Sequence, residues 1–149
     1  MRAVVQRVSR GWVRVEDQEM RPISAGLVVL IGVGKGDDES DAHYISDKIL
    51  NLRIFPDQEG KFNYSVTDMA GELLVVSQFT LYGDCRKGRR PSFSDAAAPD
   101  DALSLFEKLL DFLGESGLRV VTGEFQTMME VGIVNEGPVT ILLDSKKTL

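Results

Sequence analysis

Leu27-Val28-Val29-Leu30-Ile31-Gly32-Val33 is a continuous apolar run closed by glycine, and Glu72-Leu73-Leu74-Val75-Val76-Ser77 is a second one. Neither alternates apolar with polar residues, which is what a strand covered on both faces looks like. The second run delivers Ser77-Gln78-Phe79-Thr80, a group of hydroxyls and an amide, at a strand end. Working upstream, Ala3 to Val8 and Trp12 to Glu16 carry strand-like patterns separated by Ser9-Arg10-Gly11, which reads as a hairpin turn. Between the two apolar runs, Ser40 and Asp41 can cap a helix whose Ile45, Ile49, Leu50 and Leu52 approximate one face and which ends before Pro56. Asp57-Gln58-Glu59-Gly60 has the chemistry of a turn.

Downstream, Pro99-Asp100-Asp101 opens the clearest helix in the sequence. Leu103, Phe106, Leu109, Leu110 and Leu113 share one face, with Gly114 or Gly117 at the stop. Arg119 to Glu124, Thr127 to Val134 and Val139 to Leu143 read as three closing strands, the last two joined by Asn135-Glu136-Gly137-Pro138. Two helices among many strands predict a mixed α and β fold (α+β) with a largely antiparallel or mixed sheet. At 149 residues and 43% apolar content, without repeats or a linker-like segment, the expectation is a single compact domain over residues 1–149.

Composition narrows the chemistry. The longest apolar run is far below the roughly 20 residues that span a bilayer, so no membrane association is expected. Cys85, the only cysteine, has no partner in the chain, and a reducing cytoplasm is the expected compartment. His43 is the only histidine and sits early in a helix among Asp38, Glu39 and Asp41, where a surface role is expected. One histidine and one cysteine cannot build a multi-histidine metal site or a thiolate zinc cage, so neither metal nor other cofactor is expected. A Ser-His-Asp triad could use only His43, and no nucleophile elbow is visible. Gly32-Val33-Gly34-Lys35-Gly36 resembles a phosphate loop, but the glycine spacing is wrong and Asp37-Asp38-Glu39 would repel phosphate, so a plain turn is expected.

The formal net charge of -6 argues against non-specific nucleic-acid binding. Four of the 17 basic residues nevertheless fall within Arg86-Lys87-Gly88-Arg89-Arg90. Such a loop on an acidic body suits either selective contact with a phosphate backbone or nothing more than a solvated tip. Two further segments stay open on their residues alone. Ser77-Gln78-Phe79-Thr80 can hold an ester carbonyl as an oxyanion hole does, or simply finish a strand. Gly137-Pro138 can be a cis dipeptide, although the frequency of X-Pro bonds by itself favours an ordinary trans turn.

Taken together, SQFTLYGD (Ser77 to Asp84), GRRPSF (Gly88 to Phe93) and NEGPVT (Asn135 to Thr140), with Met1-Arg2-Ala3-Val4-Val5-Gln6-Arg7-Val8, resemble the D-aminoacyl-tRNA deacylase family nearly end to end. The resemblance implies a homodimeric, barrel-like fold that hydrolyses the ester joining a D-amino acid, or mischarged glycine, to the terminal adenosine of tRNA. It implies that Ser77 binds substrate in a pocket where Gln78, Phe79 and Thr80 are catalytic. It further implies that Gly137-Pro138 is a cis dipeptide, braced by Arg7, that one subunit inserts into its partner's pocket. There it would reject L-amino acids by steric exclusion.

Thr80 could be a nucleophile, or backbone N–H groups near Phe79 and Thr80 could polarise the carbonyl while the ribose 2′-hydroxyl helps activate water. The second is expected, since the motif places no histidine or lysine to take the Thr80 proton. Arg86, Lys87, Arg89 and Arg90 are expected to meet the phosphates of the acceptor end, with little base readout and without DNA as a partner. The rival readings are an L-specific tRNA editing domain of the same fold and a non-catalytic tRNA-binding dimer.

Overall fold

The computed structural model describes residues 1–149. Strand β1 spans Arg2–Val15, β2 Arg21–Ile23 and β3 Gly26–Gly32. Helix α1 spans Glu39–Asn51 and is followed by the small hairpin of β4 (Phe55–Pro56) and β5 (Phe62–Tyr64). Strand β6 (Glu72–Ser77) runs into a 3-10 turn, Phe79–Tyr82. Helix α2 (Pro99–Gly114), β7 (Val120–Thr122) and β8 (Met129–Asp144) complete the chain. The fold is mixed α+β, with two helices against one strongly curled sheet.

The two apolar runs are β3 and β6, paired in parallel from Gly26↔Glu72 to Ile31↔Ser77. Their side chains explain the lack of alternation. Leu27, Val29, Ile31, Leu73 and Val75 pack under the helices with Ile45, Ile49, Phe106, Leu109 and Leu113. Val28, Leu74 and Val76 face the other way and meet Val8, Val13 and Ile23. That second core is closed by Met129, Val131 and Ile133 of β8. The helices therefore cover one face of the sheet and the sheet curls over its own other face.

The expected hairpin at Ser9-Arg10-Gly11 is instead the middle of β1. Residues 2–8 of β1 pair with β3 and residues 11–13 with β2 on one side, while β8 pairs along its whole length on the other. A shared neighbour on β8 keeps both halves in one strand, and the polar break is absorbed as a register shift around Val8. The shift moves β1 from one core to the other, so that Ala3 and Val5 face the helices whereas Val8 and Val13 face the curled interior. The two closing strands expected either side of Asn135-Glu136-Gly137-Pro138 are likewise one strand, β8. In it Asn135 stays paired with Val8, and residues 136–139 form a bulge rather than a turn between hairpin arms.

Closure is completed by side chains where backbone pairing stops. Between β2 and β7, Arg21 donates to the Thr122 carbonyl at 2.9 Å and Arg119 to the Pro22 carbonyl at 2.8 Å. The start of α1 also differs from expectation. Asp38, not Ser40 or Asp41, is the N-cap, accepting from the Ser40 and Asp41 backbone N–H groups. The Asp41 carboxylate in turn accepts from the Asp38 N–H in a reciprocal capping box. A carboxylate just outside the helix reaches the N–H groups of the first turn, whereas the side chain of a residue inside that turn does not stand below them.

Asp41 also receives Lys146 at 2.8 Å, tying α1 to the residues beyond β8. Burial pushes the Asp41 carboxyl up, but hydrogen bonds from Lys146, Ser145 and the Asp38 backbone outweigh it and hold it at about 2. A depressed folded value stabilises the fold above the ordinary carboxylate value, and that contribution fades as pH falls toward about 2. Asp41→Asn is accordingly expected to lower the urea midpoint at pH 7. The difference from wild type should narrow at pH 3, as urea melts at both values would show.

Candidate active site

The second core opens at one end into a cleft of about 760 Å³. One wall is the end of β6 and the 3-10 turn, which place Ser77, Gln78, Phe79 and Thr80 together along it. The opposite wall, Phe125 to Met129, comes from the connection between β7 and β8 and the first residue of β8, and Ala96 and Ala97 line the cleft before α2. The walls are largely apolar, with polar side chains from Ser77, Gln78 and Thr80 on one side and from Gln126 and Thr127 on the other, as is usual for a pocket that orients a ligand by a few groups.

This wall is held from behind. The Gln78 backbone N–H donates to the Ile31 carbonyl at 2.6 Å, which locks the turn to β3. Arg2 donates to the Leu81 carbonyl at 3.1 Å and lies 4.5 Å from the centroid of the Tyr82 ring. Burial, with Asp37 nearby, pushes the Tyr82 hydroxyl well above its usual range, so it remains a neutral part of this support. The N–H groups of Phe79 and Thr80 open the 3-10 turn, where no carbonyl of the turn can reach them, and no side chain caps it. The Thr80 hydroxyl accepts a hydrogen bond from the Gln78 side-chain amide. His43 lies elsewhere, exposed on α1 with its ring edge-on to Phe112 at 5.3 Å.

Gly137-Pro138 does not line this cleft. In the β1–β8 ladder, Gln6 pairs with Thr140 and Val8 with Asn135, so a single residue, Arg7, faces the four residues 136–139. The excess chain arches outward, leaving Gly137 and Pro138 exposed. Gly137 has φ +126°, a region open to glycine, and a Cβ there would stand 2.8 Å from Val139 Cγ2. The Gly137–Pro138 peptide is cis. Arg7, only 8% exposed, fills the space beneath the arch. Its Nε donates to the Glu136 carbonyl at 3.2 Å and its Nη1 to the Ile54 carbonyl at 2.7 Å, with the Phe62 ring 5.6 Å away. Asn135 ties the ends of the arch together, accepting from the Val139 N–H and donating to the Thr140 hydroxyl.

The basic segment is an exposed loop pinched at its base, where Asp84 and Ser92 exchange backbone hydrogen bonds of 2.7 and 2.9 Å. Arg86 folds back on Asp84 at 2.7 Å and, by hydrogen bonding, holds its carboxyl well below the usual carboxylate range. Lys87, Arg89 and Arg90 point into solvent. At the glycine-rich loop after β3, the Asp37 carboxylate accepts from the Gly34 N–H at 2.6 Å, so an internal carboxylate takes the donor that a phosphate would need.

Several residues of this arrangement escape a reading of the sequence. Arg2 and Asn135 act through carbonyls and a bulge that exist only in the folded chain. The wall from Phe125 to Met129 looks like ordinary core material, and only its place opposite Ser77 gives it a role.

A family model described as D-Tyr-tRNA(Tyr) deacylase matches residues 4–144. A D-aminoacyl-tRNA deacylase of Thermotoga petrophila is 57% identical over 147 residues, covering 99% of each chain. One of Heliobacterium modesticaldum is 58% identical over 146 residues, covering 98% of this chain and 97% of its own. Among solved structures, a c-Myc DNA Unwinding Element Binding Protein is 39% identical with a TM-score of 0.90, covering 97% of this chain and 98% of its own. A probable eukaryotic D-amino acid tRNA deacylase, 19% identical, shares the fold at a TM-score of 0.82, covering 95% of this chain and 97% of its own. The fold and its relatives define a hydrolase of aminoacylated tRNA. More narrowly, the chain belongs to the D-aminoacyl-tRNA deacylase family.

The Arg7 contacts lend themselves to a direct measurement. Arg7→Ala strands the carbonyls of Ile54 and Glu136 and is expected to cost about 2–4 kcal/mol in urea unfolding. Arg7→Lys should recover only part of this, because a single ammonium cannot span two carbonyls as the guanidinium fork does.

Proposed function

We propose that the cleft receives the terminal aminoacyl-adenosine of tRNA and that Gly137-Pro138 of a second copy of the chain completes it. In this reading the enzyme is a cytoplasmic homodimer that releases D-amino acids, and glycine, from tRNA. The observation that carries it is the arch over Arg7: it is braced by the Arg7 and Asn135 side chains, exposed at its tip, and absent from the cleft of its own chain. A firmly held element with no task in its own subunit suits insertion into another. Its carbonyls would accept hydrogen bonds from the substrate α-ammonium while its bulk fills the space an L side chain needs, so selection works by exclusion. Glycine, without a side chain, escapes the filter.

In the bond-breaking step, the Phe79 and Thr80 N–H groups polarise the ester carbonyl as oxyanion-hole donors. Water, activated with help from the ribose 2′-hydroxyl, adds to the carbon. The 3′-oxygen leaves with a proton, giving free amino acid and tRNA. Ser77 and Gln78 shape the binding wall. Thr80 is a positioning group in this scheme, supported by its hydroxyl receiving the Gln78 amide where an activated nucleophile would need a base. Lys87, Arg89 and Arg90, and Arg86 to a lesser degree because Asp84 already engages it, face the acceptor-end phosphates. The name of the 39% identical relative refers to a DNA element, but DNA has no part in this reading.

Incubation with matched D-, L- and glycyl-tRNA tests the filter. Release of D-amino acid and glycine with the L-ester intact is expected. Release of the L-ester would mean an editor of opposite selectivity, and binding without release a non-catalytic module. The role of Thr80 is tested separately: Thr80→Ala is expected to retain substantial deacylation, whereas tRNA ending in 2′-deoxyadenosine should lose most of it. Near-complete loss in folded, tRNA-binding Thr80→Ala would restore Thr80 as nucleophile.

A further inference from the structure

We propose that Phe79 and Phe93 together form a stacking platform for an unpaired base of the tRNA acceptor end, upstream of the terminal adenosine. Phenylalanine rings are ordinarily buried, yet Phe79 is 57% and Phe93 36% exposed. Their centroids are 5.0 Å apart at 67°, an edge-to-face pair. Phe93 closes the GRRPSF segment, and neither the deacylation chemistry nor the phosphate contacts give its ring a task.

The pair is preformed. Phe79 rides on the 3-10 turn that Arg2 and the Gln78–Ile31 bond anchor. Phe93 packs over Gly83, where a Cβ would come within 3.1 Å of its Cε1, so the absence of a side chain at Gly83 makes room for the ring. The chain around Phe93 is fixed by the Asp84–Ser92 bridge on one side and by the Ala96 N–H to Phe93 carbonyl bond, 3.1 Å, on the other. A ligand meets these rings without having to order them, and preorganisation of this kind favours binding.

Position identifies the occupant. Phe79 lines the cleft, while Phe93 is one residue beyond the pinched base of the loop carrying Lys87, Arg89 and Arg90. The aromatic pair therefore lies between the cleft and the exposed Lys87, Arg89 and Arg90 of the loop. Single-stranded nucleic acid is bound by this combination, bases on aromatic faces and backbone along cations, with little dependence on base identity.

The platform rests on the reading that the cleft holds the terminal aminoacyl-adenosine, and the test separates the two. D-aminoacyl-tRNA and the corresponding D-aminoacyl-adenosine ester are compared with wild type, Phe93→Leu and Phe93→Tyr. The adenosine ester has no upstream base. Phe93→Leu, which keeps apolar bulk and loses the aromatic face, is expected to raise KM for the tRNA roughly tenfold with kcat within about twofold, in line with loss of one base–aromatic stack. The increase should be confined to the longer substrate, and Phe93→Tyr should restore it.

Equal effects on both substrates, or none on either, would overturn the platform. As a readout independent of hydrolysis, 2-aminopurine in place of the penultimate base of an uncharged acceptor-stem RNA should change its fluorescence on binding wild type and not on binding Phe93→Leu at saturation. Loss of this difference would also overturn the proposal. Failure of wild type to hydrolyse either ester, with the fluorescence difference intact, would count against the deacylation reading while supporting the platform.

Discussion

Strands β1 and β8 stay paired from one end to the other although they differ in length across the middle, and the surplus residues on β8 have to go somewhere. They arch out at residues 136–139 opposite Arg7. The same continuous pairing carries β1 from the helix-covered core to the curled interior, lets β8 close that interior, and sets the cleft at its open end. An arch of four residues over a strand leaves carbonyls and a void beneath it. A buried guanidinium is suited to both, since its planar fork serves two acceptors and its stem fills space.

The electrostatics follow a division of labour. The chain carries a net charge of -6, while one pinched loop gathers four cations, Arg86, Lys87, Arg89 and Arg90. Arg86 is already satisfied by Asp84, so the loop's geometry uses one cation internally and leaves three for an outside partner. The glycine-rich loop after β3 shows the reverse arrangement: Asp37 satisfies it from within. Two segments that look alike as candidate phosphate sites are thus separated by where the nearest carboxylate points.

What the sequence made legible depended on whether the deciding contact was local. β3, β6 and α2 are visible because burial on both faces, or on one helical stripe, leaves a direct imprint on residue type. Ser9-Arg10-Gly11 and Asn135-Glu136-Gly137-Pro138 read as turns because bulge and turn use the same residues; only the neighbouring strand, remote in sequence, decides between them. Asp38 disappears among Asp37 and Glu39 as mere charge, although it alone stands where the first turn of α1 needs an acceptor. The site divides the same way. Ser77 to Thr80 is marked by polar groups at the end of an apolar run, whereas Arg2, Asn135 and the Phe125–Met129 wall depend on what the fold brings opposite them.

The side-chain seam between β2 and β7 carries a mechanical consequence. Backbone ladders break cooperatively, but the bonds from Arg21 to Thr122 and from Arg119 to Pro22 are separate, partly exposed links that can exchange with water one at a time. Along that line the curled sheet is joined by side chains and not by a backbone ladder. The cleft wall at Phe125–Met129 begins three residues after the end of β7. The opposite wall is carried by the β3–β6 pair, whose backbone ladder is continuous, so the two walls of the cleft stand on supports of different kinds.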